Sequence, residues 1–262
     1  MNVTEKAKFI SDWIKDYVDN MPSKAQSLVI GISGGIDSSV SSTLSAMTGL
    51  KTIVLSMPIK QKSHQHDLSL KHQEWLVKNF KNVEAHTINL DELFLAFSSS
   101  LSKFDNEHGM ANSRARLRMT TLYQVAAANK GIVVGTGNKV EDFGVGFYTK
   151  YGDGGVDISP IADLMKSEVF VLAKYLNVIE DIQKSKPTDG LWDDDRTDED
   201  QIGASYDEIE FIMKNFDEKS NKIFTSRQEE VYQLYKNLNI KNKHKMNPIP
   251  VCKIPDSLKN SI

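Results

Sequence analysis

The stretch Val29–Ser42, VIGISGGIDSSVSS, runs an apolar segment straight into two glycines, an acid and a row of hydroxyls. If a strand ends at Ile32 and a helix starts near Asp37, Gly34 and Gly35 can take backbone angles closed to other residues and leave room for close approach. Consecutive N–H groups then form an anion nest beside the positive end of the helix, and Ser33, Ser38 and Ser39 add hydroxyl donors. That is phosphate-holding chemistry. Asp37 would repel a bare phosphate, so its position points to an intervening Mg²⁺ shared by carboxylate and phosphate oxygens. No Gly-Lys-Ser/Thr follows at Walker A spacing, and the pattern is not GxGxxG. A capped helix after a strand is the plainer alternative.

The elements that must carry this turn are legible in the apolar pattern. Short apolar runs at Ser27–Ile32, Thr52–Met57, Glu84–Leu90 and Ile132–Gly135 read as buried strands. Helical stretches lie between them at Asp37–Met47, Asp67–Phe80 and Asn112–Asn129, and Phe9, Ile10, Trp13, Ile14 and Val18 mark an amphipathic helix before them. The alternation predicts an α/β fold with a doubly wound parallel sheet flanked by helices, and ligands at the carboxyl ends of its strands. Glycines 137, 144, 146, 152, 154 and 155 crowd residues 136–160, which predicts a long functional loop. Helices return at Asp163–Leu176, Tyr206–Asn215 and Ser226–Leu238, and the tail is basic, then broken by proline. No repeat or clear linker divides the chain, so residues 1–262 read as one domain.

Composition narrows the partners. Of 262 residues, 40% are hydrophobic and 26% charged, with a net charge of −3, so no basic stripe for nucleic acid is implied. The N-terminus has no apolar signal core and no run is long enough to span a membrane. Cys252, the single cysteine, allows no internal disulfide and fits a reducing compartment. These features predict a soluble cytoplasmic protein with small-molecule partners. His64, Gln65, His66 and Asp67 match no standard zinc spacing, and the acidic run at 193–200 reads as a solvated loop that could order over substrate.

Ser33-Gly34-Gly35-Ile36-Asp37-Ser38 resembles the SGGxDS pyrophosphate loop of the ATP pyrophosphatases, which split ATP between its α and β phosphates. The second half points to one branch. GFYTKYGDGG at 146–155, followed by VDISPIADLMK, resembles the substrate loop of ammonia-dependent NAD synthetases. Asn112-Ser113-Arg114-Ala115-Arg116-Leu117-Arg118, Val134–Asn138 with Glu141, Ser205–Ile209 and His244-Lys245 resemble further motifs of that family, in order, over roughly residues 5 to 255. The resemblance implies the Rossmann-like fold of the adenine nucleotide alpha hydrolases. It also implies a two-step reaction, in which ATP adenylates the nicotinate carboxylate of deamido-NAD and ammonia displaces AMP.

Carried over position by position, the resemblance puts ATP and pyrophosphate on Gly31, Ile32, Ser33, Gly34, Gly35, Ile36, Asp37, Ser38, Ser39, Thr136 and Lys166. It puts deamido-NAD on Asn112, Arg116, Lys150, Asp153, Asp157, His244 and Lys245, Mg²⁺ on Asp37 and Glu141, and catalysis on Asp37 and Lys166. Asn112 and Arg116 lie four apart, on one helical face. Of the three alternate arginines 114, 116 and 118, at least one is expected to be an ordinary surface residue. Two departures stand out. Several bacterial members carry an arginine where Ser56 stands, leaving Lys60 or Lys62 to supply an ATP contact, and the Glu141-to-Gly146 spacing is one residue longer than in some relatives. Relatives are homodimers, and those that use glutamine carry an added N-terminal amidase domain. A match starting near residue 5 leaves no room for one, which implies direct use of free ammonia. A tRNA-modifying ATP pyrophosphatase and a nucleotide sensor without chemistry are the competing readings, with the single late cysteine and a pI near 6.1 set against the first.

Overall fold

The chain alternates strand and helix through its first half. The computed structural model describes residues 2–59, 63–188, 197–216 and 223–259, with 63–65 described by backbone alone. In order, the elements are α1 (Val3–Asp19), β1 (Ser27–Gly31), α2 (Ile36–Met47), β2 (Thr52–Ser56), α3 (Ser63–Asn79), β3 (Val83–Thr87), α4 (Asp91–Ser100), α5 (Glu107–Ala128) and β4 (Gly131–Val133). A π-helical segment, Lys139–Val145, follows. After it come α6 (Lys166–Tyr175), α7 (Glu180–Lys184), α8 (Asp198–Ile202), α9 (Tyr206–Asn215), α10 (Ser226–Met246) and α11 (Asp256–Lys259).

Among the described residues the strands form one parallel sheet in the order β3-β2-β1-β4. Leu28 to Gly31 pair with Thr52 to Leu55, and Ser27 to Val29 pair with Gly131 to Val133. Strand side chains alternate between faces. Leu28, Ile30, Val54 and Ile132 pack with α1, α2 and α6. Val29, Ile53, Leu55 and Val133 pack on the opposite side with Leu117, Leu122, Tyr123 and Val125 of α5. The chain changes side after β3, so the strand order reverses at β1, the place where such sheets open a crevice for ligands. A third cluster, built on Val140, Val145, Ile209, Ile212, Val231 and Tyr235, joins α9 and α10 to the π-helical segment.

The glycine-rich region read as a loop contains that π-helical segment. Asn138 caps it, its Oδ1 accepting from Val140 N at 3.0 Å and Glu141 N at 3.1 Å. A π turn accommodates one residue more than an α turn. Glu141 lies within this wide turn, and Gly146 caps its end. α10 runs to Met246, two turns past its expected end at Leu238, and α4 was not visible in the apolar pattern.

Candidate active site

β1 delivers the glycine turn to the carboxyl edge of the sheet. Ile32 N donates to Leu55 O at 2.8 Å, Gly34 sits at φ 89°, and Gly35 is the N-cap of α2 without a side-chain cap. The first-turn amides of α2 are thus left to an anion. The hydroxyls hold the turn's shape. Ser33 Oγ and Ser38 Oγ lie 3.0 Å apart, Gly35 N donates to Ser33 Oγ at 3.1 Å, and Ser38 Oγ donates to Gly35 O at 3.0 Å. Ser39 is fully buried and its Oγ donates to Gly35 O at 2.9 Å, so this hydroxyl serves the loop's own backbone. Deeper along α2, Ser42 Oγ meets His72 Nε2 at 3.1 Å.

Asp37, Glu141 and Lys166 come together although they lie far apart in sequence. Lys166, only 2% exposed, places Nζ 2.5 Å from Asp37 Oδ2 and 2.8 Å from Glu141 Oε1. Asn138 Nδ2 donates to Asp37 Oδ1 at 3.1 Å. Tyr206 OH donates to Glu141 Oε1 at 2.6 Å, and its ring centroid lies 4.9 Å from Lys166 Nζ. Burial opposes the Lys166 charge, but Asp37 and Glu141 outweigh it and hold the ammonium pKa above its usual value. Burial raises the Asp37 pKa, with Glu141 adding to this and Lys166 opposing it. Burial also works to raise Glu141, but Lys166, Tyr206 and Asn138 bring its pKa below normal. Next to it, Asp142 is pushed well above the usual carboxylate range by burial and by Glu141, Asp153 and Asp37.

α6 carries Lys166 at its first residue, and α9 fixes that end. Glu210, 3% exposed, accepts from Ser167 N at 2.8 Å and Ser167 Oγ at 2.7 Å. α9 itself starts from a capping box between Ser205 and Glu208.

The remaining expected residues gather on residues 144–157, between α5 and α10. Asn112 Oδ1 accepts from Thr149 Oγ1 at 2.6 Å, and Arg116 reaches Lys150 O at 3.4 Å. Lys150 Nζ donates to His244 O at 2.7 Å, and Lys245 Nζ donates to Gly146 O and Tyr148 O, both at 2.8 Å. Asn239 and Asn242 donate to Gly144 O and Val145 O at 2.7 and 2.8 Å. A row of loop carbonyls is thus held by one helix face. Gly146 has φ 68°, and a Cβ there would meet Asn242 Cβ at 2.3 Å, so glycine is required. Asp153 Oδ1 accepts from Thr149 N at 2.9 Å. Asp153 is itself exposed, but desolvation by the protein packed around it, with Glu141, lifts its pKa to about 6 against Thr149 N–H and Lys245.

Two expected residues stand apart from this row. Asp157 uses both oxygens structurally, accepting from Tyr123 OH at 3.1 Å and Val133 N at 2.7 Å. Thr136 is half-buried just beyond β4. At the end of β2, Ser56 is buried within 2.7 Å of Ser69 Oγ and 3.4 Å of His66 Nδ1, while Lys60, Lys62 and residues 193–196 lie outside the described residues. Asn138, Tyr206, Glu210 and Arg118 carry no assigned role in the sequence, although Asn138, Tyr206 and Arg118 lie within its family motifs. The first three act across tens of residues; only the Ser205–Glu208 capping pair hinted at Tyr206.

Comparison with known proteins gives the family. A family model described as NAD synthase matches residues 6–249. The NH(3)-dependent NAD(+) synthetase of Thermoplasma volcanium is 37% identical over 87% of this chain and 90% of its own. The fold is similar to the NMN synthetase of Francisella tularensis, with a TM-score of 0.83 and 35% identity over 98% of this chain and 99% of that one. It is also similar to the NH3-dependent NAD synthetase of Campylobacter jejuni, with a TM-score of 0.77 and 28% identity over 97% of this chain and all of that one. Because the match runs through every element that builds the site, the chain belongs to the NAD synthase family.

Proposed function

We infer that the protein amidates the nicotinate carboxylate of deamido-NAD with ammonia, consuming ATP and giving NAD, AMP and pyrophosphate. One observation carries this reading: a buried lysine bridges two carboxylates next to a glycine turn at the carboxyl edge of the sheet. A carboxylate is a poor acylating agent at neutral pH. Its oxygen attacks the α-phosphorus of ATP, the bond to the β-phosphate breaks, and pyrophosphate leaves. Ammonia then attacks the acyl carbon, AMP departs with the bridging oxygen, and a proton is lost. Both steps build negative charge, which oriented amides and a fixed cation stabilise. In this scheme Ser33, Gly35 and Ser38 hold the departing phosphates and Lys166 offsets their charge. Residues 144–155, braced by Asn112, Arg116 and Lys245, seat the acid.

Asp37 and Glu141 fit Mg²⁺. They are hard oxygen donors that already converge on one cation, the Lys166 ammonium. Substrate oxygens and water would complete the shell of the Mg²⁺. When bound, it would neutralise phosphate charge.

The working unit in this proposal is a single synthetase domain, acting as a homodimer in the cytoplasm. Leu93, Leu95 and Phe104 are 50%, 57% and 79% exposed along and just after α4, an apolar surface that a second copy could cover. Leu95→Asp should convert dimer to monomer in sedimentation; an unchanged sedimentation coefficient refutes that interface.

A second reading comes from the Francisella neighbour, whose name specifies nicotinamide mononucleotide as product. On that reading the acid is nicotinate mononucleotide. Pyrophosphate release with ATP and Mg²⁺ separates the two when either acid is supplied with ammonium or with glutamine. Turnover preferring deamido-NAD supports the first reading, and preference for the mononucleotide supports the second. Efficient turnover on glutamine alone overturns direct use of ammonia, and no release with either acid overturns both.

A further inference from the structure

We propose that Arg118 binds substrate directly, its guanidinium gripping a phosphate or carboxylate oxyanion at the carboxyl edge of the sheet. This rests on the ligase reading above. Arg118 lies on α5 one turn before Leu122, whose Cδ1 would be 3.7 Å from a Cβ on Gly31, the last residue of β1. Its Nε donates to Met57 O at 3.0 Å, just beyond β2. The side chain is therefore anchored across the ends of the two strands that frame the glycine turn, with Asp153 of the substrate loop near enough to influence its charge.

Fixing Nε leaves the rest of the fork uncommitted. Among the described residues neither Nη forms a hydrogen bond and no carboxylate pairs with Arg118, while Asp153 accepts from Thr149 N. Arg118 is half-buried as a residue; burial, with Arg114 nearby, lowers its pKa to about 10, still charged at neutral pH. A desolvated cation without a counter-charge is costly unless a ligand supplies one. A single bond to a carbonyl does not need a guanidinium, whereas two parallel free N–H groups match a planar oxyanion. The other two arginines are placed differently. Arg114 lies over the Phe94 ring at 5.5 Å, and Arg116 is exposed against Lys150 O.

The test is direct binding, by calorimetry, of α,β-methylene ATP with Mg²⁺, of deamido-NAD and of NAD, to the wild type, Arg118→Gln and Arg118→Lys. Losing a charge-assisted pair should weaken at least one ligand by about 10- to 100-fold in Arg118→Gln, with Arg118→Lys intermediate. Loss confined to the ATP analogue identifies a phosphate of ATP. Loss for deamido-NAD but not NAD identifies the reacting carboxylate, and equal loss for both dinucleotides identifies a dinucleotide phosphate. If Arg118→Gln does not fold, phenylglyoxal labelling of the wild type, mapped to Arg118 by mass spectrometry, replaces it; protection by one of the ligands is the expected result. A folded Arg118→Gln that binds all three like the wild type, or unprotected labelling, overturns the proposal and leaves the ligase reading standing. A wild type that binds none of the three overturns both.

Discussion

Glu210 grips both the amide and the hydroxyl of Ser167, the residue next to Lys166. One buried carboxylate on α9 thereby sets the start of α6 and the height at which the lysine enters the site. Glu210→Ala leaves two donors without partners, at a cost of about 1–3 kcal/mol in denaturant unfolding. The rate of pyrophosphate release should fall more than the KM for ATP rises, because the glycine turn is untouched. A normal rate in a destabilised variant would show that Lys166 keeps its position unaided.

Lys166→Ala removes the cation that joins Asp37 to Glu141 and leaves two carboxylates facing each other in a buried site. Breaking such a pair costs about 3–5 kcal/mol. Activity should drop by about 100-fold or more, the scale of a lost transition-state charge contact. Added Mg²⁺ should restore part of the melting temperature without restoring the rate. A rate within a few-fold of wild type would remove Lys166 from the chemistry.

Gly146→Ala tests the brace between α10 and the carbonyls of residues 144–148. The new Cβ meets Asn242 Cβ at 2.3 Å and Met246 Cε at 2.9 Å, on a backbone that disfavours side chains. The loop carbonyls should part from Asn242 and Lys245. The KM for the acid should rise by about 10-fold or more, as expected for a misplaced site, while the affinity for an ATP analogue stays within two-fold, roughly. Equal weakening of both ligands would contradict separate supports.

Stability should fall on mild acidification because of His72. It is fully buried, stacks on Trp75 with centroids 5.5 Å apart, and burial lowers its pKa from 6.5 to about 4. Above 6.5 the imidazole is neutral in both states and the fold keeps its full stability. Between 6.5 and 4 the unfolded chain takes up a proton that the fold refuses, removing up to about 3 kcal/mol. Urea midpoints at pH 7.5, 6.0 and 5.0 should fall steadily in the wild type and less steeply in His72→Gln. Identical slopes would place the acid sensitivity elsewhere.

What the sequence reveals follows the range of the forces. The glycine turn is legible because its requirements lie within six residues of one strand end. The bounds Tyr206–Asn215 agree with the structure because the capping box beside them is local. The end of α10 is not legible, since its last two turns pack with Asn239, Asn242 and Lys245 on carbonyls and so show no apolar period. The π turn is hidden for a related reason: glycines 144 and 146 suggest a loop, while the cap on Asn138 and the packing of Val140 and Val145 on α9 and α10 hold a helix. Ser39 looks like a phosphate donor by proximity, but helix geometry turns it inward. Arg118 could not be told from Arg116 in the sequence, because two residues along a helix select different sides and only the fold says which one is enclosed.

The bond row from α10 to residues 144–148 has a consequence for the order in which the molecule is made. The cluster around Lys166 waits for Tyr206 and Glu210 of α9, and the brace on residues 144–148 waits for Lys245 of α10. A product truncated between α9 and α10 would hold the lysine–carboxylate cluster but leave the carbonyls of Gly146 and Tyr148 unbraced.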